Sequence, residues 1–166
     1  MKTFIRLTLA AALIVGLTAV NAAAQATQTA SVTVNASVNS KAKLTIDAAA
    51  VSFADADPDV TPSLTAAPVL GITVKSRTAA GSTATLAVKA DGDLTSGTDT
   101  IGIDQLTWTV SGSGFVAGTM DTSDVSLGSF DDSGNFSGTQ TYALVNSWDY
   151  ATGSYSATIT YTLTVP

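Results

Sequence analysis

Polar and apolar residues alternate along this chain with a period of two. From Ala30 the apolar positions are Ala30, Val32, Val34, Ala36 and Val38, separated by Ser31, Thr33, Asn35 and Ser37. An extended backbone sends successive side chains to opposite faces, so this segment predicts a strand with one dry face and one wet face. After a break at Asn39-Ser40-Lys41 the pattern resumes, with Ala42, Leu44 and Ile46 opposite Lys43, Thr45 and Asp47. The last such stretch is longer: Tyr155, Ala157, Ile159, Tyr161, Leu163 and Val165 alternate with Ser156, Thr158, Thr160, Thr162 and Thr164. Neither end carries the 3.6-residue period of an amphipathic helix.

Between these ends, further strands are expected near Val51 to Phe53, through Leu70, Ile72 and Val74, and through Ala84, Leu86, Val88 and Ala90. Ile101 and Ile103 are followed by Leu106, Trp108 and Val110, a change of parity that predicts a bulge or bend. Weaker signals lie near Phe115, at Val125 to Phe130 and at Thr139 to Val145. The connections carry turn residues: Asp91-Gly92-Asp93, Ser111-Gly112-Ser113-Gly114 and Asp131-Asp132-Ser133-Gly134-Asn135. Short strands at regular spacing joined by such turns predict an all-β fold. The expected architecture is an Ig-like antiparallel β-sandwich of about eight or nine strands.

The first residues fall outside this scheme. Lys2 and Arg6 precede an uncharged apolar run, Leu7 to Val20, and Ala24-Gln25-Ala26 follows as a small-residue cleavage site. This is the three-part pattern of a secretory signal peptide over residues 1–26, and the run is short for a membrane anchor. Residues 27–166 are then one domain, exported to a bacterial surface or its surroundings, with no membrane span after cleavage. That domain carries no Cys, so its stability must come from packing and sheet hydrogen bonds. It holds five cationic side chains against thirteen Asp, an acidic balance that disfavours nucleic acid and anionic membranes.

The same composition narrows the chemistry. There is no His, no Cys and no Glu. The usual nucleophile–base arrangements cannot be built without His or Cys. A pair of Asp carboxylates, one with a raised pKa, is the remaining route to hydrolysis, and the Asp residues here sit in turn contexts. No enzyme activity and no cofactor are expected. Asp55, Asp57 and Asp59 form D-x-D-x-D, the opening of a calcium loop, but an EF-hand needs Gly and Glu where Val60 and Ala66 stand. The segment reads as an acidic turn, with an irregular calcium site as the alternative. Trp108 alternates with Leu106 and Val110 and is expected in the core. Trp148, beside Tyr150, either caps one end of the sandwich or forms a platform for a ligand such as a sugar.

The segment with the sharpest functional consequence is the first alternating one. Residues 27–39 begin the chain after cleavage, with Val32, Val34, Ala36 and Val38 on one face. They either pair within their own sheet or add a strand to a neighbouring molecule, supplying main-chain hydrogen bonds and pocket-filling side chains.

Two families are suggested by these residues. The opening SVTVNASVNSKAKLTID and the closing GSYSATITYTLTVP resemble major subunits of bacterial fimbriae of the alpha, or CS1-like, group. That resemblance implies that Val32, Val34, Ala36 and Val38 complete the sandwich of the next subunit, and that Gly153, Tyr155, Ser156 and Ile159 belong to the closing strand. The Trp108-Thr109-Val110 segment and Ala157 to Leu163 look like an altered WxL surface domain, with Val110 and Tyr161 replacing motif residues. This second resemblance implies association with cell-wall or matrix glycan. The leading expectation is a secreted, non-catalytic structural protein, a pilin-like subunit that self-associates by strand addition. The alternative is a glycan-binding module.

Overall fold

The computed structural model describes residues 27–166, so the expected signal peptide lies outside the described residues. By its contacts the chain divides into one unit ending at Ala36 and a second, Ser37–Pro166. In the first unit, residues 27–36 form no strand and their side chains are exposed. The expected strand over Ala30 to Val38 is therefore not formed. Alternation makes a segment able to pair, but ladder hydrogen bonds need a partner, and the chain supplies none here.

The second unit is an antiparallel β-sandwich of twelve strands, eight of them five residues or longer. They are β1 (Lys41–Ile46), β2 (Ser52–Phe53), β3 (Ser63–Ala67), β4 (Leu70–Arg77), β5 (Thr83–Ala90), β6 (Leu94–Ser96), β7 (Asp99–Ile101), β8 (Leu106–Ser111), β9 (Gly118–Thr119), β10 (Val125–Asp131), β11 (Gly134–Val145) and β12 (Ile159–Thr164). The larger sheet is built around β11, which pairs with β4 and β3 along one edge and with β8 along the other. β1 closes it on the far side of β4, and β9 on the far side of β8. The smaller sheet has the order β10-β5-β12. β6 and β7 form a separate hairpin. Among the described residues no helix is long and apolar enough to cross a membrane.

The alternation dictates what faces inward. Leu70, Ile72 and Val74 of β4 meet Ala84, Leu86, Val88 and Ala90 of β5 between the sheets, all buried. Trp108 and Tyr142, cross-strand partners on β8 and β11, stack edge to face with ring centroids 6.4 Å apart. Phe115, Phe130 and Phe136 form a second aromatic cluster, with centroids 5.0 and 4.8 Å apart. The parity change after Ile103 is a single 3-10 turn, Ile103–Gln105, which keeps both Ile103 and Leu106 buried. The signal near Phe115 yields only an isolated bridge to Gly128.

That bridge closes one side of the sandwich. After β8 the chain crosses towards β10, where Val116 N–H donates to Leu127 O at 2.9 Å and Ser129 N–H donates to Gly114 O at 2.8 Å. The crossing turns through Gly112 and Gly114, both in the left-handed region at φ 98° and 86°. A Cβ on Gly114 would lie 2.7 Å from Ser129 O, so only glycine permits this approach. The Trp108 indole N–H donates to Val116 O at 3.0 Å and fixes the segment from below.

Gly114→Val is accordingly expected to destabilise the fold by about 1–3 kcal/mol, read as a lower urea midpoint with an unchanged slope. An unchanged midpoint would show that the crossing is not held by this approach.

Candidate functional site

The opposite side of the sandwich is not closed. β12 is the last strand of the smaller sheet, and β1 the last strand of the larger one. Below β12 the inner edge continues past β5: Ser156, in phase with Thr158, exchanges backbone hydrogen bonds with Thr95 at 3.0 and 3.1 Å. The expected start of the final strand at Tyr155 is thereby corrected to Ile159. Asp91 takes over the positions before it, its carboxylate accepting the Thr158 N–H at 2.8 Å while its own N–H donates to Thr158 O at 2.9 Å.

Between the two edges the sheets part around a cavity of about 1240 Å³. Its walls include Ile46, the 48–53 segment and Leu70 on one side, and Tyr155, Ala157, Ile159 and Tyr161 on the other. Tyr142 and Leu144 of β11 also line it. Burial falls off towards this opening. The inward residues of β5 are completely enclosed, whereas Ile159, Tyr161, Leu163 and Val165 are only half-buried, as are Leu44 and Ile46 of β1. Near the start of β1 the edges are drawn together, and Ser40 Oγ donates to Pro166 O at 2.8 Å. The groove is therefore pinched where β1 begins and widens where β1 ends.

A polar chain crosses the core beside the groove. Gln140 on β11 is fully buried, in phase with Tyr142 and Leu144. The Tyr161 hydroxyl donates to Gln140 Oε1 at 2.8 Å. Its hydrogen being committed there, the 2.7 Å contact with the Tyr142 hydroxyl is a bond donated by Tyr142. Gln140 Nε2 has no partner among the described residues. Burial pushes the Tyr142 hydroxyl well above the ordinary phenol range, and the neighbouring Tyr161 adds to the shift. Burial raises Tyr161 as well.

The anticipated site residues are placed as follows. Val32 and Val34 are 88% and 87% exposed, Val38 is 70% exposed, and Ala36 is exposed as well. Trp108 is buried in the core. Trp148 is 69% exposed and does not cap the sandwich by burial; its indole N–H donates to Asp59 Oδ1 at 3.2 Å on the rim of the groove. Tyr150 is half-buried in the groove wall, and its hydroxyl is raised by burial and then by Asp104 and Asp149. Asn146 Nδ2 donates to Ala56 O at 3.0 Å and to Thr61 O at 2.9 Å, so the 146–150 segment holds the acidic 55–61 loop. Within this loop Asp57 Oδ1 accepts the Asp59 N–H at 2.9 Å, and Asp59 Oδ1 accepts the Trp148 indole N–H. Among the described residues no three acidic side chains converge as a metal site would require.

The groove itself was not anticipated. Its wall residues were legible as strand faces, but a period-two pattern does not say which strand lies at an edge. Gln140 did leave a signal, since it sits on the apolar phase of the Thr139 to Val145 alternation.

With the folded-state pKa values of Tyr142 and Tyr161 raised, their contribution to stability is fully present below the ordinary value of about 10 and is lost as pH rises through and above it. The melting temperature is expected to fall above about pH 10, and less steeply in Tyr142→Phe. A wild-type melting temperature flat to pH 12 would contradict this. Tyr161→Phe strands Gln140 without any partner and is expected to cost about 1–3 kcal/mol in urea unfolding.

The chain matches no protein-family model, and no curated protein is similar enough to be named as its relative.

Proposed function

We propose that this protein is an exported, non-catalytic structural subunit that assembles at a bacterial surface by strand addition, as the resemblance to fimbrial subunits implies. Residues 29–38 of one copy add to the free edge of β12 in the next, and Val32, Val34, Ala36 and Val38 enter the groove between β12 and β1. The observation that carries this reading is a match of two incomplete parts. One is an exposed alternating segment with no ladder of its own. The other is a sandwich whose core-facing residues on β1 and β12 are half-exposed beside an unpaired strand edge.

The dimensions agree. Ten to twelve extended residues span about 33–40 Å, enough to cover β12 and the segment below it. Natural proteins rarely leave a long apolar edge bare, because it templates uncontrolled pairing. An incoming strand removes that hazard at β12 and buries the three valines, worth on the order of 5–9 kcal/mol before ordering costs.

The mature chain is expected to form concentration-dependent oligomers in sedimentation analysis. Val32→Asp/Val34→Asp is expected to leave monomers with an unchanged circular dichroism spectrum. A strictly monomeric wild type that merely unfolds on deletion of residues 27–38 would assign the strand to its own domain and end the proposal.

A second reading, a module for cell-wall or matrix glycan, is favoured by the exposed Trp148, whose indole is oriented by Asp59 on the groove rim. Aromatic faces of this kind stack on apolar ligand surfaces. Trp148→Ala is expected to abolish retention by insoluble cell wall with the fold intact; equal retention by both proteins would remove this reading.

A further inference from the structure

The five cations of residues 27–166 are not scattered. Lys41 and Lys43 lie on the outer face of β1, Lys75 and Arg77 on the outer face of β4, and all four are exposed. The register sets Lys41 directly opposite Arg77, and Lys43 directly opposite Lys75. Like charges facing one another across a ladder destabilise it. In an acidic chain rich in aspartate, this pairing is left without local compensation. Among the described residues the one salt bridge is Lys89–Asp124, at 3.7 Å. Asp131 and Asp132 lie at the same end of the sandwich, but their carboxylates accept from the Thr83 hydroxyl at 2.7 Å and the Gly81 N–H at 2.8 Å.

The opposite end is acidic. Asp47 follows β1, Asp104 precedes β8, Asp149 follows β11, and Asp55, Asp57 and Asp59 lie on the loop that Asn146 clasps after β11. None of these carboxylates has a cation within salt-bridge distance among the described residues. This is also the wide end of the groove, and Asp55 and Asp57 form part of its wall. The basic end of the sandwich is where residues 27–40 are rooted, since Lys41 opens β1.

We infer that successive copies meet basic end to acidic end, with Lys41, Lys43, Lys75 and Arg77 of one copy set against the Asp55–Asp59 loop and Asp149 of the next. The inference rests on strand addition and adds a second contact to it. It also sets a direction. For the root of the added strand to emerge beside Asp55 and Asp57, the strand must run towards the wide end of the groove, antiparallel to β12. Charges of this kind steer encounter and fix register more than they set final affinity. Their effect therefore belongs to the rate of assembly and its dependence on salt.

The test follows light scattering of the mature chain 27–166 at about 20 and 500 mM NaCl. Wild type is expected to assemble about tenfold or more slowly at the higher salt, within the range that electrostatic steering covers. Lys43→Glu/Lys75→Glu, which exchanges one facing like-charge pair for another, is expected to slow assembly at low salt to the same degree with its melting temperature maintained. Adding Asp55→Lys/Asp57→Lys in the same chain is expected to restore the rate. Assembly that is indifferent to salt and to these substitutions, yet blocked by Val32→Asp/Val34→Asp, would overturn the end-to-end contact and leave strand addition standing. Slowing without rescue by the Asp substitutions would overturn it too, assigning the cations to another anionic partner. A wild type that never assembles would remove both readings together.

Discussion

The two edges of the smaller sheet are unequal, and the rest of the molecule's behaviour depends on that inequality. A three-stranded sheet has two rows of backbone donors and acceptors that its own strands leave unmatched. Along β10 the chain meets them with the Gly112–Val116 crossing, which glycine alone can bring so close. Along the outer edge of β12 no such partner is found among the described residues, and Ser156 and Thr158 bond towards Thr95 and Asp91 on the β5 side. Burial follows the hydrogen bonds. The faces of β5 and β10 that look inward are sealed, and those of β12 and β1 remain half open because nothing spans the gap between the sheets there.

Much of this fold was legible in the period-two pattern. Leu70, Ile72, Val74, Ala84, Leu86 and Val88 all face the core as their alternation requires. Alternation encodes a face, however, and not a neighbour. The residues from Ala30 to Val38 carry as clean a pattern as any in the chain, and they form no strand. The final strand starts four residues late because the Asp91 carboxylate and the Thr95 backbone take the hydrogen bonds of the segment before it, which a pattern of side chains cannot foretell. The short strands β3 and β6 escaped because they hold too few residues for a period to show: Ser63–Ala67 is held by β11, distant in sequence, and Leu94–Ser96 by its neighbour β7.

With no His, Cys or Glu in the chain, any acid–base chemistry would fall to its aspartates. Asp57, Asp91 and Asp121 accept backbone N–H bonds in turns, and those bonds hold Asp91 and Asp121 below the usual carboxylate range. A general acid would need the opposite shift, produced by burial. The two tryptophans separate in the same way. Trp108 lies on an apolar phase and is buried with its N–H satisfied, while Trp148 lies in a loop and keeps its ring in solvent beside Asp59.

Magnitudes decide what an added strand must do beyond filling space. Association costs of order 4–15 kcal/mol in lost translational and rotational freedom, so the burial of three valines roughly balances that cost and no more. The surplus has to come from the β12 edge, where each main-chain hydrogen bond contributes about 0.5–1.5 kcal/mol net. Further surplus comes from enclosing Ile159, Tyr161 and Leu163, which the isolated domain leaves half in water. The groove walls carry bulky residues, Tyr142, Tyr155, Ile159 and Tyr161, and the added segment offers small ones, Val and Ala. Large facing small is what close packing between two sheet layers requires, so the side chains that look modest on the exposed segment are of the size the open core lacks.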